Sequence, residues 1–144
     1  MSNMTLIADY IKKHFPVEQM KYNMFIEDDI YYKIPKLVFR FSKEVDQSIY
    51  DSFKENVESF QGKIRWTIFE SLYGQRVKNY ILCPKTVYNM HKELFEKGEL
   101  ASEQEYFSEF EYKELCEKGI AEIPELFAHI KKNFNHDCQE FSHL

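Results

Sequence analysis

The chain has 144 residues, of which 44% are apolar and 30% charged, with only four Gly and four Pro. This predicts one globular domain, 1–144, able to close a core without disulfides or a metal, and excludes two full enzyme domains. A net charge of −5, from 19 basic against 24 acidic side chains, disfavours a general binder of duplex DNA.

No apolar run reaches the ~20 residues of a membrane span, and Met1-Ser2-Asn3-Met4-Thr5 lacks the basic and long apolar stretches of a secretory leader. A cytoplasmic protein with no membrane contact is expected. Cys83, Cys116 and Cys138 are widely spaced and form no C-x-x-C pair, so reduced thiols are expected rather than a disulfide framework or a zinc ribbon.

In chain order, Leu6, Ile7, Tyr10, Ile11 and Phe15 form a stripe that predicts a helix over 4–14, ended by Pro16. Ile30–Ile34 and Leu37–Phe41 read as strands on either side of Pro35, which cannot donate to a ladder and marks a break or an edge. An aromatic edge there is a candidate for pairing two copies of the chain. Ser42 or Asp46 can cap a helix carrying Val45, Ile49, Phe53, Val57 and Phe60, with Gly62 following it.

Alternation over 64–73 and 77–83 then predicts a hairpin with Gly74-Gln75 as its turn. Pro84 suits the first turn of a helix through Val87, Met90, Leu94 and Phe95, closed by Gly98. Ser102 and Glu105 make a capping box for a helix through Tyr106, Phe107, Phe110 and Leu115, ending at Lys118-Gly119. Pro124 starts a last helix through Leu126, Phe127, Ile130 and Phe134, and 135–144 is expected to be a flexible tail. The fold class is α+β: a small antiparallel sheet of three to four strands covered by helices, with a helical C-terminal half. Its central order of strand, helix, strand, strand, helix resembles an incomplete ferredoxin-like sandwich.

No P-loop, G-x-G-x-x-G, H-E-x-x-H, G-x-S-x-G or EF-hand pattern occurs, so the expectation is a protein that is not an enzyme and takes no cofactor. His129, His136, Asp137, Cys138 and His143 are ligand types without a metal-site spacing, and no metal is assigned. Cys83 precedes a helix N-terminus that would favour a thiolate, but His91 lies two turns up the same helix, too far for a working pair. Glu70 shares the parity of Trp66, Ile68 and Leu72 and is expected opposite Asn79, at the outer end of that face reaching solvent or, in a sharper reading, lining a pocket.

Charge is unevenly distributed. Residues 1–95 carry a net +2 and residues 96–144 a net −7, with nine glutamates from Glu99 to Glu125 facing only Lys113 and Lys118. The chain also holds 13 Phe, 10 Tyr and one Trp, more than so small a core needs. Tyr31, Tyr32, Tyr73, Tyr106 and Tyr112 are the tyrosines expected at a surface.

Together these features point to a binding protein whose acidic, tyrosine-bearing face, with Glu103, Tyr106, Glu109, Tyr112, Glu114 and Glu117 as candidates, docks a basic partner. An inhibitor or immunity-type protein neutralising a basic toxin or nuclease has this character. The alternative is single-stranded RNA, stacked and paired along a basic-aromatic hairpin face of Arg65, Phe69, Tyr73, Arg76, Lys78 and Tyr80. A secretion-chaperone-like protein or a small enzyme comes third.

Overall fold

The computed structural model describes residues 4–23, 33–71, 78–98 and 103–134. Helix α1 (Met4–His14) occupies the predicted interval and buries Met4, Ile7, Ala8 and Ile11. Lys12, Lys13 and His14 fill its last turn, at the negative end of the helix dipole, and Pro16 stops it. Strand β1 (Val17–Asn23) follows directly and was not foreseen from the sequence. It pairs antiparallel with β2 (Lys36–Phe41), running from Val17 opposite Phe41 to Asn23 opposite Lys36.

Helix α2 (Gln47–Glu58) starts at Asp46, whose carboxylate accepts from the Ser48 amide at 2.8 Å, and ends at Ser59, short of Gly62. Strands β3 (Trp66–Ser71) and β4 (Asn79–Pro84) form the predicted antiparallel pair, and β4 also pairs antiparallel with β2. The sheet order is β1-β2-β4-β3. Strands β2 and β3 are therefore parallel to each other with β4 between them and α2 connecting them, a split β-α-β unit like that of the ferredoxin-like order. Because β2 has a partner on each side, the aromatic edge expected near Pro35 is not an edge. Residues 30–32 lie outside the described residues, and Lys33–Pro35 form no strand.

Helix α3 (Lys85–Lys97) closes at Gly98, which takes the left-handed conformation (φ 67°) that its lack of a Cβ permits. A single turn, α4 (Glu103–Tyr106), precedes α5 (Glu109–Asn133). The sequence predicts one helix ending at Lys118-Gly119 and another begun by Pro124; instead a single 25-residue helix spans that break. Its capping box is Ser108 with Glu111, the Glu111 amide donating to Ser108 Oγ at 3.1 Å. Gly119 faces inward, where a Cβ would lie 2.7 Å from Pro35 Cγ. Burial of Cys116, Ile123, Leu126 and Ile130 on both sides of Pro124 offsets the hydrogen bond that its missing N–H removes.

Helices cover both sheet faces. Helices α1, α2 and the C-terminal half of α5 pack with Leu37, Phe39, Trp66, Ile68 and Leu82. Helix α3, Phe107 and Cys116 pack with Phe69, Ile81 and Cys83 on the other side. Helix α5 thus contributes to both cores and presents its remaining face to solvent. No helix among the described residues is long and apolar enough to cross a membrane.

Candidate functional site

The six acidic and tyrosine candidates divide once α4 and α5 are in place. Glu109 and Tyr106 are exposed, and Glu114 and Glu117 lie along the outer side of α5. Phe110 precedes these two glutamates by four and seven residues, so the three share one helix face. That ring is 75% exposed, although the apolar pattern had assigned it to the packed side. Restarting the helix at Ser108 is what turns it outward, and the Ser108–Glu111 capping box was the available signal. Within the helix, Lys118 pairs with Glu114, and Lys113 stands 3.9 Å from Glu117.

Tyr106 donates its hydroxyl hydrogen to the Glu93 carboxylate, which raises the tyrosine pKa. The Lys97 ammonium and the Tyr106 hydroxyl together lower that of Glu93. This bond fixes the Tyr106 ring beside α3. Glu103 and Tyr112 do not join the exposed face. Glu103 accepts from Lys36 Nζ at 2.7 Å, a largely covered pair tying α4 to β2, and the half-buried Tyr112 packs on the second core.

One glutamate of the acidic run has left the surface altogether. Glu122 is 4% exposed and accepts from the backbone amides of Lys63 and Ile64, the latter at 3.1 Å, and from Trp66 Nε1 at 3.4 Å. A Cβ on Gly62 would lie 2.7 Å from its Oε2, so the glycine leaves room for the carboxylate. Glu122 is a structural acceptor for the turn before β3.

The basic-aromatic hairpin face is not assembled as expected. The register sets Glu70 opposite Tyr80, not Asn79, and Phe69 opposite Ile81. This one-residue slip moves Tyr80 onto the side of Trp66 and Ile68, opposite to Phe69, because side chains alternate across a sheet. Phe69 is buried beneath α3 against the Tyr88 and His91 rings, while Tyr80 stacks on Phe39. Lys78 lies 3.6 Å from Glu70, which reaches solvent as the plainer expectation had it. Arg65 is exposed on the segment before β3, and Tyr73, Arg76 and the Gly74-Gln75 turn lie outside the described residues.

Cys83 and Cys116 are buried free thiols. Burial pushes the Cys83 thiol pKa up and that of Cys116 up to about 12, the reverse of what a thiolate nucleophile needs. His91 is shifted the other way, downward, by burial and then by the Lys36 charge. No cluster of metal-ligand side chains occurs among the described residues. His129 is held by Ser59 Oγ at 2.9 Å and packs on Phe60, while His136, Asp137, Cys138, His143 and the predicted tail lie outside those residues. Comparison with known proteins finds no matching family model, no similar curated protein and no similar solved structure.

Proposed function

We propose that the protein is a non-enzymatic binding module that docks the outer face of α4 and α5 onto a basic partner protein and acts by covering it. The observation that carries this reading is Phe110, an aromatic ring exposed to solvent on the face that bears Glu114 and Glu117. An exposed ring at the end of a charged helix face matches the anatomy of an interface, where the apolar anchor is desolvated and the charged rim steers approach. Glu109, Glu114 and Glu117 form the rim and Tyr106 its border with α3. Neutralisation of a basic toxin or nuclease by an inhibitor or immunity-type protein is the activity this chemistry favours. A cytoplasmic setting goes with it and is supported by Cys83 and Cys116, which are buried free thiols.

The test is capture of partners by the full chain, its Phe110→Ala variant and its Glu109→Lys/Glu117→Lys variant, followed by binding kinetics on whatever the wild type retains. Phe110→Ala is expected to speed dissociation at least roughly tenfold, the scale of a lost aromatic anchor. The charge reversals are expected to slow association at low salt and to have little effect at high salt. A partner held equally well by both variants would refute the reading.

A further inference from the structure

A cavity of about 420 Å³ opens between the first turn of α3, the turn before β3 and the side of α5. Its volume is in the range of small-molecule sites. Lys63, Arg65, Lys85 and Lys118 line it, from three separate parts of the chain. Two carboxylates also line it, and both are engaged: Glu111 in the capping box and Glu114 with Lys118. Among the described residues no carboxylate forms an ion pair with Lys63, Arg65 or Lys85. The lining therefore carries two positive charges in excess on a chain whose net charge is −5.

The cavity also lies at the start of α3. Helix α3 has no side-chain cap and no acidic residue in its first turn, so its positive end is unneutralised there. The Lys85 amide is used by the Arg65 carbonyl at 2.8 Å, which anchors the two cation-bearing segments to each other. Thr86 and Asn89 add polar side chains on the same side of α3, and Ile64, Phe107 and Leu115 supply an apolar wall. An excess of two positive charges matches a phosphate monoester, which carries about −1.5 to −2 near neutral pH, better than a single carboxylate. The apolar wall has no use for inorganic phosphate and suits an attached hydrophobic body.

We propose that this cavity binds the phosphate monoester of a small molecule with an apolar body. The site shares only Glu114, which is paired with Lys118, with the proposed docking face, and neither Phe110, Glu109 nor Glu117 lines it, so the variants used for the two tests do not overlap. The experiment is a titration of the isotopically labelled full chain, followed by backbone amide NMR shifts, with phenyl phosphate, phenol and inorganic phosphate in turn.

Phenyl phosphate is expected to saturate with shifts centred on Arg65, Thr86, Val87 and Asn89. Inorganic phosphate should bind roughly tenfold or more weakly, as expected from loss of one buried ring, and phenol should not saturate. Arg65→Ala/Lys85→Ala should weaken phenyl phosphate at least roughly tenfold with an unchanged melting temperature, since both side chains are exposed. Lys63→Ala is the second variant and should weaken it to a smaller degree. The proposal is overturned if phenyl phosphate fails to saturate by ~10 mM, where affinity is too weak to be specific. It is equally overturned if phenol binds as well, if the shifts scatter over other lysines, or if the variants bind unchanged.

Discussion

Removal of the Glu122 carboxylate tests whether the acidic C-terminal segment holds the sheet together from inside. Glu122→Leu keeps similar bulk but leaves the amides of Lys63 and Ile64 and the Trp66 indole N–H without their acceptor. A buried donor deprived of its partner costs about 1–3 kcal/mol. The Ile64 amide and the Trp66 ring are buried, whereas Lys63 is exposed enough for water to replace the lost bond. Two such donors give about 2–6 kcal/mol, the upper end reduced by the desolvation that a buried carboxylate no longer suffers, so the expected net loss is about 2–4 kcal/mol. That is a large part of the ~5–15 kcal/mol that holds a domain folded. Glu122→Gln retains one acceptor oxygen but turns an NH₂ group toward an amide donor, and should fall between wild type and Glu122→Leu. Urea unfolding followed by Trp66 fluorescence measures the loss, which at a typical slope lowers the midpoint by about 1–2 M. Glu125→Leu, three residues on and exposed, is the control and should change stability by no more than about 0.5 kcal/mol. If Glu122→Leu unfolds within about 0.5 kcal/mol of wild type with an unchanged slope, the carboxylate is not the structural acceptor described above.

Two further outcomes follow from the close packing and from the buried imidazole. Gly119→Ala would ordinarily gain about 1 kcal/mol of helix propensity, but its Cβ would stand 2.7 Å from Pro35 Cγ and 3.2 Å from Cδ, on a ring that cannot swing aside. Overpacking of about 1–3 kcal/mol outweighs the gain, so the variant should be less stable by about 1 kcal/mol, and Gly119→Ala/Pro35→Ala should recover part of the loss; a stabilised single variant would contradict the contact. His91 has a folded-state pKa below its ordinary 6.5, through burial first and the Lys36 charge second, with Glu103 opposing. The unfolded chain therefore takes up this proton at a higher pH than the folded one, so the contribution is fully present above pH 6.5 and is lost as pH falls toward the folded value. Urea midpoints measured at neutral pH and near pH 5 should fall less for His91→Gln than for wild type, and equal falls would remove His91 from the acid response.

The elements that were legible in the sequence are those fixed by local signals. The α1 stripe, Asp46 at the start of α2 and Gly98 at the end of α3 each act within one or two turns, and each stands where the residue pattern put it. Strand β1 escaped because its mostly polar sequence carries little alternation and its pairing partner lies across residues 24–35. The β3–β4 register depends on the connection through 72–77, and an error of one residue there exchanged the faces of Tyr80 and its neighbours. Gly119 and Pro124 are strong local breakers, yet tertiary burial along α5 overrides both.

That override also explains why the acidic run could not be read as one surface. Only when 109–133 is a single helix does its phase separate the residues: Cys116, Gly119, Glu122, Ile123 and Leu126 turn inward, and Phe110, Glu114 and Glu117 turn outward. Charge density alone treats Glu117 and Glu122 as equivalent, although one is exposed and the other is enclosed by the turn before β3. The outward set is also less acidic than its carboxylates imply, because Lys118 and Lys113 already stand beside Glu114 and Glu117. On the proposed reading, a basic partner would have to displace those exposed lysines, a modest cost for solvent-facing pairs, and each displaced lysine would restore a carboxylate to the contact. Specificity in such a contact would then rest more on the fit around Phe110 than on net charge, which is why the aromatic variant and the charge reversals are expected to act on different rates.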